Sequence, residues 1–93
     1  MDIYPGRIVV STAGRDKDRF FIVLSRVGEN YCFIADGDVR KVDVPKKKKL
    51  KHLRVTDFSL TSVQEKLETN QTVTNAMLRK ELKLFLEDNQ LPM

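Results

Sequence analysis

The sequence predicts a mainly β domain with α structure at its C-terminal end, in the form of a small β-barrel of four to five strands followed by two helices that cover it. Short segments rich in β-branched and aromatic residues occupy residues 7–55. The apolar spacing becomes helical after residue 73. Residues 20–24 are apolar without alternation, which requires a covering layer on both faces of that strand.

The strands are predicted from apolar runs that turn residues separate, at residues 7–11, 20–27, 31–35, 39–42 and 52–55. Residues 28–30 form a hairpin connection between the second and third strands. Asp36 and Gly37 give the turn signal that precedes the fourth. We expect Pro45 and the four lysines after it to interrupt the strand pattern. Strands this short and numerous describe a small barrel.

Two helices are predicted in the C-terminal part. The longer covers residues 75–88, with Thr74 as its N-cap and Val73 stapled to Leu78. One face is apolar and should cover the barrel, through Leu78, Leu82, Phe85 and Leu86. The opposite face is charged, with Arg79, Lys80, Lys83 and Glu87.

A shorter helix is predicted at residues 62–68, where Ser62 and Glu65 have capping-box spacing. The chain then divides into a barrel at residues 1–58 and a helical C-terminal extension at residues 59–93, packed on the barrel. At 93 residues the chain suits one domain with a thin core, which is a poor frame for a deep catalytic cleft.

The net charge of +4 is unevenly distributed along the chain. Residues 1–55 contain 13 basic and 7 acidic residues and so carry +6, whereas residues 56–93 contain 4 basic and 6 acidic residues and carry −2. A basic domain followed by an acidic tail favours an interaction with nucleic acid.

Other features bear on location and class. No apolar run approaches the roughly 20 residues of a membrane span, and the N-terminus lacks the pattern of a signal peptide. Cys32 is the only cysteine, so no internal disulfide can form. We therefore expect a cytoplasmic protein that does not associate with a membrane.

Residues that catalyse reactions are scarce. Cys32 with His52 is a conceivable nucleophile and base, but a cysteine inside an apolar strand is more often a packed thiol. Asp36, Asp38 and Asp43 cluster around a turn, where backbone geometry alone favours aspartate. We expect no enzyme, no metal, no cofactor and no small-molecule substrate.

Two clusters of cations are the candidate binding residues. The first is in the loop at residues 12–19 and comprises Gly14, Arg15, Lys17 and Arg19. The second comprises Arg40, Lys41, Lys46, Lys47, Lys48, Lys49, Lys51, His52 and Arg54. Cations at this density attract phosphates. For the first cluster, the alternative is a loop whose cations pair with its own Asp16 and Asp18. For the second cluster, the alternative is a solvated lysine segment. Exposed aromatic residues are few, so phosphate contacts and RNA shape should dominate over base readout, with Tyr4 and Tyr31 in anchoring roles.

The segment Gly6-Arg7-Ile8-Val9-Val10-Ser11-Thr12-Ala13-Gly14-Arg15-Asp16-Lys17-Asp18-Arg19, followed by Phe20-Phe21-Ile22-Val23-Leu24, resembles a KOW motif. It looks most like the KOW-bearing proteins of the large ribosomal subunit and their small bacterial relatives. The latter are also similar at residues 34–41 and 45–53, so that the resemblance covers residues 5–56. Many relatives have glycine where Asp18 stands.

The resemblance implies an SH3-like barrel that binds RNA, often ribosomal RNA, through the first loop and the later basic loops. Carried over to this chain, it implies contacts from the cations of both clusters. We therefore expect an RNA-binding protein of the translation machinery, with the ribosome or ribosomal proteins as further partners. The alternative is a protein-interaction adaptor in the translation or transcription machinery, with the apolar face of the last helix exposed as its anchor.

Overall fold

The computed structural model describes residues 3–89. Five antiparallel strands precede two helices, and a 3₁₀ turn (Leu50–His52) joins the last two strands. The elements are β1 (Arg7–Ser11), β2 (Phe20–Val27), β3 (Tyr31–Ala35), β4 (Lys46–Lys49), β5 (Leu53–Ser59), α1 (Thr61–Glu68) and α2 (Asn75–Asp88). The prediction of a mainly β chain with C-terminal helices is confirmed. Residues 1, 2 and 90–93, at the outer ends of the predicted segments 1–58 and 59–93, lie outside the described part.

The sheet is rolled rather than flat. Its strand order is β4-β3-β2-β1-β5, so β4 and β5 form opposite edges although only three residues separate them in sequence. A flat sheet would hold these edges about 19 Å apart, at 4.7–4.9 Å per strand spacing. A three-residue 3₁₀ turn rises only about 2 Å per residue, so the two edges meet at this corner.

Each face of the rolled sheet buries its own apolar cluster. The inner face encloses Ile3, Val9, Phe21, Val23, Cys32, Ile34 and Leu53. The outer face joins the helices through Ile8, Ile22, Ala35, Val63, Leu78, Leu82, Phe85 and Leu86. Alternate residues of β2 therefore enter different clusters, which confirms that the segment 20–24 is covered on both sides.

Two glycines hold the helices close to the sheet. Gly37 has φ +80° and lies against the backbone of Asn75, the first residue of α2, where a side chain would collide. A side chain at Gly6 would likewise collide with Gln64 of α1.

Helix α2 begins as predicted, because the Thr74 hydroxyl accepts a hydrogen bond from the Met77 N–H at 3.1 Å. No helix within residues 3–89 has both the length and the apolar content for a membrane crossing.

The prediction of a fourth strand at residues 39–42 is wrong. The chain there forms a compact turn, in which the amides of Asp36 and Gly37 both donate to the Arg40 carbonyl. The Asp36 carboxylate also accepts hydrogen bonds from two amides of the turn, which draws the backbone away from an extended path.

The lysines themselves form the fourth strand. Residues 46–49 pair with β3 in the register Ile34↔Lys46 to Tyr31↔Lys49. The expectation that the lysines interrupt the strand pattern is therefore wrong. Backbone pairing decides the structure here and overrides the low strand propensity of lysine.

The last strand and the first helix also differ from their predicted bounds. Strand β5 runs on to Ser59 because β1 continues to pair with it beyond a bulge between Arg7 and Val9. Helix α1 has Leu60 as its N-cap and no side-chain cap, so the predicted capping box of Ser62 and Glu65 is absent from this structure.

Candidate nucleic-acid interface

Three basic segments that are separate in sequence meet at one corner of the rolled sheet. The Lys48 ammonium on β4 donates to the Ala13 carbonyl of the first loop at 2.8 Å. The Thr12 amide donates to the carbonyl of His52, in the 3₁₀ turn, at 2.9 Å. Arg40 reaches the same loop through Asp16. We call this surface, formed by residues 12–19, 40, 41 and 46–54, the basic rim.

Ion pairs hold the first loop in place. The Arg40 Nε–H donates to one oxygen of Asp16 at 2.9 Å, and Arg40 Nη2 lies 2.9 Å from the same oxygen in an ion pair. Arg19 pairs with Asp36 at 3.4 Å and, more loosely, with Asp38 at 3.8 Å. Two residues of the loop, Asp16 and Arg19, therefore pair with residues outside it, contrary to the alternative of a loop that pairs its own charges. Their charges are partly neutralised by the fold.

Asp36 organises the turn that carries two of these cations. One of its oxygens accepts the amides of Asp38 and Arg40, each at 2.9 Å, and the other faces Arg19. The residue is buried. Its carboxylate is therefore fully used in fixing the turn and its neighbouring arginine.

Alternate lysines of β4 face opposite sides. Lys48 lies opposite Cys32 in the register, and cross-strand partners share a face. Its stem is consequently buried over the inner cluster, and only its ammonium reaches the loop. Lys47 and Lys49 lie on the outer face, opposite Phe33 and Tyr31.

Most of the predicted cations are exposed to solvent. Arg19 is exposed although it is paired, with 45% of its side chain accessible, and Arg40 is half-buried. His52 is half-buried in the 3₁₀ turn. The exposed cations outside these ion pairs are Arg15, Lys17, Lys41, Lys46, Lys47, Lys49, Lys51 and Arg54. The structure thus separates the predicted residues into exposed cations and three that hold the rim together, Arg19, Arg40 and Lys48.

The first loop turns at two residues with left-handed backbone. Gly14 has φ +79°, as its residue type indicates, and Asp18 has φ +71°. The Asp18 amide donates to the Ser11 carbonyl at 2.7 Å, which closes the loop. This conformation explains why glycine suits position 18, and aspartate is among the residues that tolerate it.

Tyr31 forms part of a shallow crevice beside β4. The Lys47 ammonium lies 4.8 Å from the centre of the Tyr31 ring, a cation–π contact. The crevice has a volume of about 280 Å³ and is lined by Asn30, Tyr31, Lys49, Leu50 and Lys51. Tyr4, in contrast, anchors the chain start, because its hydroxyl bonds the Ser59 hydroxyl.

Cys32 is fully buried in the inner cluster. Burial raises the pKa of its thiol to about 11, although the positive charge of Arg26 opposes the shift. A nucleophilic cysteine needs the opposite shift, toward the thiolate. The packed-thiol interpretation of Cys32 is therefore the one that its surroundings favour.

Sequence reasoning missed the partners that order the rim. Asp16 is buried and receives Arg40 across the turn, and the Ala13 carbonyl receives Lys48. The acidic residue within a basic loop could have indicated that Asp16 pairs with a cation. Nothing in a sequence indicates which backbone carbonyl will accept a hydrogen bond from a lysine. No family model matches this chain, and no similar protein was found among the curated ones.

Proposed function

We propose that this protein binds RNA through the basic rim, with ribosomal RNA as its target and a rolled sheet of the SH3-like, KOW-bearing kind as its frame. The observation that carries the proposal is the joining of three basic segments at one corner through internal hydrogen bonds. Ordered cations lose less conformational entropy on binding than mobile ones. The rim therefore suits a rigid phosphate backbone better than a solvated lysine segment would.

The exposed cations outnumber their acidic neighbours on the rim. Lys47 and Lys49 project from the outer face of β4, and Lys51 and Arg54 continue the charge through the turn into β5. Contacts from five or six of them would give a slope of about −4 to −5 in the logarithm of affinity against the logarithm of salt concentration. Such contacts position RNA and carry little sequence information.

The test is a salt titration of binding to structured ribosomal RNA fragments. The double variant Lys47→Gln with Lys49→Gln should lower the magnitude of the salt slope by about 1.4–1.8, since each lost phosphate contact removes 0.7–0.9. The matched control replaces Lys66 and Lys80, two helix lysines, with the same change in net charge.

Only the rim variant should alter the slope. Equal effects of both double variants would show that net charge alone governs binding, and would contradict the proposal. Absence of binding by the unmodified protein at low salt would overturn it outright.

The adaptor alternative required an exposed helix face. Leu78, Leu82, Phe85 and Leu86 are at most 7% exposed and belong to the outer cluster. The expectation that they cover the sheet is confirmed. This face is covered by the sheet and offers no exposed anchor, so the adaptor function gains no support from it.

A further inference from the structure

The crevice beside β4 continues the basic rim at the end where Lys49 and Lys51 lie. Its volume is about 280 Å³. This is just below the roughly 300–1,000 Å³ of pockets that enclose drug-sized ligands. The space therefore suits a single ring system better than an elongated small molecule.

Backbone pairing fixes the shape of the crevice. Tyr31 is the first residue of β3, and its cross-strand partner in the register is Lys49 of β4. The Leu50 amide, at the start of the 3₁₀ turn, donates to the Asn30 carbonyl at 2.9 Å. The hairpin connection before β3 and the turn after β4 are thereby joined at the crevice, so its walls are formed before a ligand arrives.

The Tyr31 ring is held by Lys47 and borders the crevice. The Lys47 ammonium lies 4.8 Å from the ring centre, but Lys47 does not line the crevice. The crevice therefore meets the part of the ring that Lys47 leaves uncovered. Within residues 3–89 the Tyr31 hydroxyl has no hydrogen-bond partner, so the described fold uses this side chain only through its ring.

The other polar groups of the crevice are available to a ligand. The Asn30 side chain is exposed and forms no hydrogen bond within the described part of the chain, so its amide keeps both donor and acceptor. Lys49 and Lys51 are exposed, and none of the described lining residues is acidic. The crevice thus offers an aromatic surface, an amide and two cations, which match the base, the base edge and the phosphates of a nucleotide.

We propose that this crevice receives one unpaired base of the RNA that the basic rim binds. The base packs against Tyr31, its edge hydrogen-bonds the Asn30 amide, and Lys49 and Lys51 hold the adjoining phosphates. Because an amide offers both a donor and an acceptor, the crevice selects an unpaired nucleotide and not one particular base.

This inference rests on the proposed function and narrows its target. A continuous duplex keeps its bases stacked and paired, so it cannot supply a base to the crevice. Bulges and loops present bases that can leave the stack. The preferred target is therefore an RNA helix that such an unpaired nucleotide interrupts.

The experiment compares two RNA hairpins in binding to the full chain. The first carries a single unpaired adenosine in its stem, and the second carries an abasic nucleotide at the same position. Both hairpins have the same number of phosphates, so the phosphate contacts of the rim cancel in the comparison. The hairpin with the base should bind about five- to thirty-fold more tightly, as expected for one base that packs on an aromatic side chain.

Variants at Tyr31 locate the contact. Tyr31→Leu should remove the difference between the two hairpins, whereas Tyr31→Phe should keep it because the ring remains. The matched control is Phe58→Leu, which removes another partly exposed ring that lies outside the crevice. This control should leave the difference unchanged.

Asn30→Ala gives a second readout that does not depend on the folding of a β3 variant. The Asn30 side chain is exposed, and the carbonyl that receives the Leu50 amide remains in the variant. The change should reduce the difference between the hairpins by about two- to five-fold, the worth of one hydrogen bond.

Equal binding of both hairpins by the unmodified protein would refute the crevice as a base site and leave phosphate binding by the rim intact. A difference that survives both Tyr31→Leu and Asn30→Ala would also refute it, since the base would then bind elsewhere. If neither hairpin binds at low salt, the proposed function fails and this inference fails with it.

Discussion

Arg40 and Lys41 are adjacent cations for which the structure predicts opposite effects of the same substitution. Arg40 forms a hydrogen bond and an ion pair with the buried carboxylate of Asp16, both at 2.9 Å, whereas Lys41 is exposed. Arg40→Gln should therefore destabilise the fold. Lys41→Gln should leave stability unchanged and lower the magnitude of the RNA salt slope by about 0.7–0.9.

The magnitude for Arg40 follows from the burial of the pair. Breaking a fully buried ion pair costs about 3–5 kcal/mol, because it leaves an uncompensated charge. The Asp16 side chain is 8% exposed and that of Arg40 is 30% exposed. Solvent reaches the guanidinium, so we expect a loss of about 2–3 kcal/mol. In a domain of this size that loss lowers the melting temperature by about 10–20 °C.

The assay combines thermal unfolding with a double-mutant cycle. Asp16→Asn and Arg40→Gln should each destabilise the protein, and the double variant should lose much less than the sum of both, since neither charge is then left unpaired. Additive losses would show that the two residues act independently. An unchanged melting temperature for Arg40→Gln, with a reduced RNA salt slope, would refute the assignment of Arg40 to the fold.

Two further predictions concern the backbone and the core. Gly37→Ala should destabilise the protein by more than 2 kcal/mol in chemical unfolding, about twice the cost of Gly28→Ala, because both residues have positive φ but only Gly37 faces the Asn75 backbone. Equal losses would contradict this contact. Cys32, with its pKa raised to about 11, should react with iodoacetamide at a rate that follows global unfolding, and fast alkylation of the folded protein would disprove its burial.

The sequence predicted the elements whose apolar pattern and turns agree. Strands β1, β2 and β3 have their predicted bounds, because turn residues delimit each of them and their apolar residues fill two clusters. Helix α2 also has its predicted bounds, with a hydroxyl cap at Thr74 and an apolar face that is buried as a unit. In these cases local preference and tertiary packing favour the same structure.

The errors lie where tertiary pairing decides. Nothing in four consecutive lysines indicates a strand, because the pattern has neither alternation nor β-branched residues. Pairing with strand β3 makes the lysines of β4 alternate between the two faces of the sheet. The turn after Asp36 was misjudged for a related reason: the carboxylate takes up the amides that a strand at residues 39–42 would have needed.

The lysines of β4 also protect an open edge of the sheet from pairing with another chain. An edge strand presents unpaired backbone groups that can join another chain, and lysines on the edge oppose such pairing. Because β4 is an edge, its side chains can be charged without cost to the interior, apart from Lys48, whose stem covers the inner cluster while its ammonium bonds the Ala13 carbonyl. Requirements of the fold therefore suffice to place lysine at 48, and they favour charge at 46, 47 and 49 without fixing its sign. Glutamate would protect the edge as well. Edge protection therefore does not explain why all three exposed positions are lysine, whereas the proposed binding of RNA phosphates would.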